Sequence, residues 1–382
     1  MNSVKINAAK NSLLPLLCIC LIKPGIYKYK IIKTDLNRDC CEIIEYIKQF
    51  NVRSFLRENI LYLDSKNMKI INELKKKSNI RAIYYFYSVL SNCKKKIMFP
   101  KPKGCNIGDR KIDIHLELLN IFQLETIDLG DRLMIDYTKK NYNLNLNYTF
   151  KKISVGATIN AIYLSIFNKG KIILKNCSID PYIINLIETL QNFDINIELI
   201  ERQITITNSN FKEDLPIINV IPDPIISATY IIFLTLFQND KIILDNLILE
   251  NLGDLYILFK HIGINFIFVR NNSYYLSFND KLNNFNIETK EFPGIYTDVM
   301  PFLVILGSKI GNCSIKENIM NNRFGFAYEL KNLGLNFEII DNQIKIKSNS
   351  FLDIDYSCTS PELSCTSPEL SCTSPELSCT SP

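Results

Sequence analysis

Repeated β-α-β units place this 382-residue chain in the α/β class. Three observations carry that assignment. First, GKIILKNCSIDPYIINLIETLQNFDINIELI (170–200), DKIILDNLILENLGDLYILFKHIGINFIFV (240–269) and GNCSIKENIMNNRFGFAYELKNLGLNFEII (311–340) share one pattern of strand, turn, amphipathic helix and strand. Second, looser copies begin at Gly25 and near Lys96, so starts near 25, 96, 170, 240 and 311 give a period of roughly 70 residues. Third, every copy is preceded by a helical segment that is apolar almost all round, which predicts burial.

Taken in order, the five apolar segments are NAAKNSLLPLLCICLI (7–22), NIRAIYYFYSVLSNC (79–93), SVGATINAIYLSIFNK (154–169), PDPIISATYIIFLTLFQ (222–238) and YTDVMPFLVILGSK (296–309). Asn7, Asn79, Ser154, Asp223 and Thr297 are the predicted caps. Each unit therefore reads as buried helix, strand, surface helix, strand, strand. One strand-to-helix turn has grown into a long loop, PKPKGCNIGDRKIDIH (100–115), and long loops in compact α/β repeats carry function. In it Cys105 sits near Lys101, Lys103 and Arg110, surroundings that favour a thiolate. Buried helices converging on one cleft would present unpaired N–H groups and partial positive charge there. Lys10, Arg81, Arg110 and Lys152 lie at or near those ends, so the expected ligand is phosphorylated.

Composition narrows the classes. Net charge is +5 and hydrophobic content 47%, enough for a large core. With 9 arginines against 35 lysines and no basic stripe interleaved with exposed aromatics, nucleic-acid binding is not expected. Two histidines, and twelve cysteines without a CxxC pair, exclude a metal site; no cofactor is expected. Scattered thiols in apolar runs point to a reducing, cytoplasmic setting. The apolar run near the start is too short for a membrane helix and lacks a small-x-small cleavage site, so it reads as a structural helix and no membrane association is expected. No obligate protein partner is evident.

The stretches NAAKNSLLPLL, IRAIYY, GCNIGDRKIDIHLELL, ISVGATI, VIPDPI, FPGIYTDVMP and NNRF, in this order over residues 4–350, resemble the UDP-N-acetylglucosamine 1-carboxyvinyltransferases, enolpyruvyl transferases of peptidoglycan synthesis. The resemblance implies a two-domain inside-out α/β barrel, three units per domain around central helices, with the active site between the domains. Residues 8–218 would form the first domain, and 1–7 with 219–350 an incomplete second. It implies transfer of enolpyruvyl from phosphoenolpyruvate to the 3-hydroxyl of UDP-N-acetylglucosamine through a tetrahedral adduct, releasing phosphate.

By the same resemblance Cys105 is the loop thiol tied to protonation of the enolpyruvyl methylene and to product release, and the nucleophile that fosfomycin alkylates. Asp298 takes the proton from the attacking hydroxyl. Lys10 and Asn11 meet phosphoenolpyruvate; Arg81 and Arg110 serve the nucleotide-sugar and phosphate pockets. Asp113 and Ile114 lie on the uridine side, and Lys152, Ser154, Val155 and Gly156 at the diphosphate. Arg323 lies near the anionic cleft. His115 reads as structural.

Asp109, Lys111 and Pro224 depart from the family pattern, Pro224 removing a cation. From about residue 352 SCTSPEL recurs. Proline every seven residues forbids helix or central strand, so 351–382 is expected to be disordered and the sixth unit, with its phosphoenolpyruvate-side arginine, missing. Two alternatives follow: an impaired remnant that only binds the UDP-sugar, and the sister enzyme acting on shikimate 3-phosphate, which shares the fold but lacks the Cys loop and the S-V-G-A-T run.

Overall fold

The computed structural model describes residues 2–31, 35–75, 80–102, 112–208, 211–212, 215–238, 240–332 and 334–347. The expectations for Asn79, Cys105, Asp109, Arg110 and Lys111, for the repetitive tail and for a missing sixth unit concern residues outside these.

The described residues form ten α-helices, which alternate between two kinds. The predicted apolar segments contain α1 (Lys10–Cys18), α3 (Tyr85–Val89), α5 (Val155–Ser165), α7 (Pro224–Leu236) and α9 (Met300–Ile310). The amphipathic segments form α2 (Arg38–Lys48), α4 (Asp113–Ile121), α6 (Pro181–Asn192), α8 (Asp254–Ile262) and α10 (Gly325–Asn332). Residues 12–21 along α1 and the following 3-10 turn are all buried, as are Ala157 through Ser165 of α5.

Each surface helix belongs to one sheet. In the first, strand Ile26–Lys30 pairs antiparallel with Ile60–Asp64, which pairs with Arg53–Arg57. The same three-strand arrangement recurs in the other four sheets. A feature absent from the sequence reading completes them: a connector strand adds parallel to the first strand of the unit. Leu146–Thr149 joins Ile172–Lys175, and Asn286–Glu288 joins Cys313–Lys316. Two connectors close over long distances: Ile217–Asn219 returns to Ile26–Lys30, and Asn2–Lys5 reaches forward to Ile242–Asp245. In the second sheet, among the described residues, a bridge from Glu73 to Met98 stands in for the connector.

Two apolar cores result. One joins residues between Leu13 and Ile218; the other joins Ile6 to residues between Ala228 and Ile346. The chain passes between them twice, and the two passages pair with each other. Ala9 N donates to Ile221 O (2.7 Å), Asp223 N donates to Asn7 O (2.9 Å), and Ala8 bridges Pro222.

Three expectations need correction. The chain at 7–9 is spent on this pairing, so α1 begins at Lys10 behind Ala9, and Asn7 is not its cap. Thr297 is not a cap either: α9 starts after Val299, and the Thr297 hydroxyl donates to Glu317 Oε2 (2.7 Å). Helix α7 is not buried all round. Ile226, Tyr230, Phe233 and Phe237 are exposed along one face; among the described residues the second core holds two central helices and the first three. Of the cysteines outside the loop and tail, Cys18, Cys20, Cys40, Cys177 and Cys313 are buried, but Cys41 is exposed and Cys93 half-buried. Burial pushes the Cys40 and Cys177 thiols up to about 12. Among the described residues no helix is long and apolar enough to cross a membrane.

The open face of α7 is testable in urea. Ile232, fully buried on the same helix, should lose about 2–5 kcal/mol on Ile232→Ala. Phe237→Ser on the open face should change stability by no more than about 0.5 kcal/mol. Equal losses would show that the face is covered.

Candidate active site

A cleft of about 960 Å³ opens between the two cores. Its first wall is cationic. Arg81 starts the 3-10 turn before α3, and Lys152 precedes the N-terminus of α5. Ser154 caps that helix, its hydroxyl accepting from Ala157 N (3.3 Å). The N–H groups of Val155 and Gly156 come ahead of any intrahelical acceptor, and the first turn holds no acidic side chain. This helix end is therefore a place for an anion. The corresponding end of α7 is not: the Asp223 carboxylate already accepts from Ile225 N (2.8 Å) and Ile226 N (3.2 Å).

The opposite wall comes from the second core. Lys290, Glu291 and Phe292 lead to Tyr296, Thr297 and Asp298, with Ile319 to Asn322 beside them. Arg323 Nη2 donates to Asp298 Oδ1 at 2.5 Å, with Arg323 nearly buried and Asp298 exposed to the cleft. Arg202 ties the walls together, donating to Cys177 O (3.2 Å) and Phe292 O (2.7 Å).

Of the residues named from sequence, Asn11, Arg81, Lys152, Ser154, Val155, Gly156 and Asp298 line this one cleft. Arg323 stands behind Asp298 as its ion-pair partner. Lys10 begins α1 beside Asn11, but its ammonium turns away to an ion pair with Asp39. Asp113 and Ile114 open α4 without lining the cleft: Asp113 is exposed and Ile114 packs against the first core. Cys105 and Arg110 lie outside the described residues.

Sequence reasoning missed Tyr84, Tyr85, His115, Asp180, Tyr182 and Tyr296, all of which line the cleft. Asp180 and Asp223 carry carboxyls raised above the usual range by burial. The Tyr182 hydroxyl is buried, its pKa raised by burial and by the charge of Asp223. The Asp-Pro pair at 180–181 was a readable helix-start signal, whereas tyrosines inside apolar runs look like core.

His115 stacks on Tyr84, ring centroids 4.2 Å apart, and takes an Asn160 amide hydrogen bond at Nδ1 (2.8 Å). Burial, assisted by the Arg81 charge, holds its pKa down to about 3.

A family model described as EPSP synthase (3-phosphoshikimate 1-carboxyvinyltransferase) matches residues 2–359. The UDP-N-acetylglucosamine 1-carboxyvinyltransferase of Pelagibacter ubique is 31% identical over 356 residues, 91% of this chain and 82% of that protein. The chain belongs to the enolpyruvyl transferase family. The enzyme of the same name from Rickettsia prowazekii is 27% identical over 92% of this chain and 83% of its own. Among solved structures, the enolpyruvyl transferase NikO from Streptomyces tendae superposes with a TM-score of 0.75 at 17% identity, covering 91% of this chain and 82% of that one. EPSP synthase from Acinetobacter baumannii gives 0.69 at 11% identity, covering 91% and 81%. The expected fold class is thus the observed one. In this enolpyruvyl transferase the cationic and carboxylate walls face each other across the cleft, where two anionic reactants would meet.

Because His115 titrates near 3 in the folded protein and near its ordinary 6.5 when unfolded, the unfolded chain binds the extra proton between those values. Stability contributed by neutral His115 is complete above about pH 6.5 and lost as pH falls toward 3. His115→Gln should narrow the difference in urea midpoint between about pH 7 and about pH 4. An unchanged difference would contradict the assignment.

Proposed function

We propose that this enolpyruvyl transferase moves the enolpyruvyl group of phosphoenolpyruvate to the 3-hydroxyl of UDP-N-acetylglucosamine, releasing phosphate, as the first committed step of peptidoglycan synthesis. One observation carries the reading: the anion-binding end of α5, with Lys152 and Arg81, faces Asp298 across a single cleft.

The geometry supports the roles of the cleft residues, and the family resemblance suggests those of the others. The diphosphate of the nucleotide lies against Ser154, Val155 and Gly156, where helix N–H groups and Lys152 offset its charge. Arg81 adds a planar donor suited to phosphate oxygens. Asp298, oriented by Arg323, accepts the proton of the 3-hydroxyl as that oxygen bonds to the central carbon of phosphoenolpyruvate. The methylene carbon gains a proton, giving a tetrahedral adduct. Loss of a methyl proton with departure of phosphate regenerates the enol ether. Cys105 on its cationic loop is assigned to that proton traffic, and Arg110 to the phosphate. Asn11, with Lys10 beside it, is assigned to phosphoenolpyruvate, and Asp113 with Ile114 to the uridine side. Lys10 reaches the reactants only if it leaves Asp39. No cofactor takes part.

Two separate cores support reading residues 8–218 as one domain and 1–7 with 219–350 as the other. The reading places the reaction in the cytoplasm and ties it to cell-wall biogenesis, cell shape and division.

Phosphate release from phosphoenolpyruvate in the presence of UDP-N-acetylglucosamine tests it, with nucleotide-sugar binding measured in parallel. Asp298→Asn should lower turnover by about 10²–10⁴-fold while leaving binding in place. Binding without any phosphate release by the unaltered chain would overturn the transferase in favour of a protein that only holds the UDP-sugar.

A further inference from the structure

The Asp298–Arg323 pair joins two stretches of the second core, and one buried side chain with no assigned role holds both. Glu317 follows the strand Cys313–Lys316 and is 1% exposed. Its carboxylate takes four hydrogen bonds. The Thr297 hydroxyl donates to Oε2 (2.7 Å), and the Thr289 hydroxyl to Oε1 (2.9 Å). The backbone N–H groups of Ile319 (2.7 Å) and Met320 (2.9 Å) also donate to Oε1. A carboxylate offers acceptor sites only, and here every partner is a donor. The backbone of Glu317 is fixed too. Its N–H donates to Asn342 O (2.9 Å), and the Asn342 amide donates to its carbonyl.

These bonds differ in what they achieve. Those from Ile319 and Met320 shape the loop that follows the strand. The Thr289 hydroxyl, which accepts from Asn318 N (3.0 Å), seats that loop on the neighbouring segment. A role in folding alone would be complete at that point. The Thr297 bond adds something else, because Thr297 lines the cleft and the next residue is Asp298. At the other end of the loop, Arg323 donates to Met320 Sδ (2.7 Å) and to Asp298 Oδ1 (2.5 Å). The contacts therefore close a circuit. It runs from Glu317 to Thr297, along the chain to Asp298, across to Arg323, and back through Met320 to Glu317. A half-exposed ion pair holds two segments together only weakly. A buried anchor behind it fixes their separation at a second point.

We propose that Glu317 is a positioning residue for enolpyruvyl transfer, holding Asp298 and Arg323 in the geometry in which Asp298 takes the proton of the attacking hydroxyl. The inference rests on the reading that Asp298 is that proton acceptor. Glu317 acts through Thr297 on one side and through the 319–323 loop on the other. A displacement of about 1 Å at a reacting group can cost about 100-fold in rate, so such an anchor acts on turnover more than on binding.

Steady-state phosphate release by the full chain, with affinity for UDP-N-acetylglucosamine measured by calorimetry, tests this. Glu317→Gln and Thr297→Val should each lower kcat by about tenfold or more, leaving KM for phosphoenolpyruvate and the nucleotide-sugar affinity within about twofold. Thr297→Ser keeps the hydroxyl and should hold kcat within about threefold of the unaltered chain, which separates the hydrogen bond from packing. In an Asp298→Asn background Thr297→Val should cost no more than about a further twofold, since a residue acting through Asp298 then has nothing to position. Should Glu317→Gln fail to fold, the Thr297 variants decide alone. A kcat within about twofold of the unaltered chain in Thr297→Val, or its full loss multiplied onto that of Asp298→Asn, would overturn the positioning role and leave Asp298 as the acceptor. Undiminished turnover by Asp298→Asn, or no phosphate release by the unaltered chain, would overturn the acceptor itself, and this inference with it.

Discussion

Everything in this molecule is arranged around two short segments that cross between the cores and hydrogen-bond to one another. Residues 7–9 and 221–223 are joined by two backbone bonds of 2.7 and 2.9 Å and by a bridge. Each crossing leads straight into a central helix, α1 in one core and α7 in the other. Pairing the crossings therefore sets the two helix starts side by side and aims them at the same cleft. It also brings Asn11 and Asp223 into one neighbourhood although they are far apart in sequence.

The cleft that results has an uneven electrostatic character. Its first wall offers cations and the N-terminus of α5, with no acidic side chain in its first turn, to an anion. Asp298 stands on its second wall, Asp223 on the crossing, and Asp180 on the first core at the start of α6. Burial raises the pKa of two of these carboxyls, Asp180 and Asp223. Arg323 restrains the third.

Much of this was legible in the chain. The five central helices announce themselves because residues that are apolar on every side have nowhere to go but inside, and the 70-residue period follows from units of one size. The connector strands were not legible. Ile217–Asn219 is three residues long, and its identity as a strand depends on a partner near residue 28. The caps expected at Asn7 and Thr297 failed for a related reason: those residues have tertiary partners that local propensity cannot reveal. In the cleft, charged residues and the S-V-G run stood out by type, but the tyrosines did not. A tyrosine in an apolar segment reads as core, and which way its hydroxyl points is decided by the neighbouring unit. The turn of Lys10 toward Asp39 was equally invisible, since the two are on different helices.

The parallel strand Asn2–Lys5 closes its sheet only against Ile242–Asp245. A ribosome therefore releases this strand long before its partner exists. The leading strand must stay unpaired while the entire first core is synthesised and can fold behind it. A strand made before the first core is placed after it, and anything fused ahead of residue 2 would sit next to the second core rather than the first.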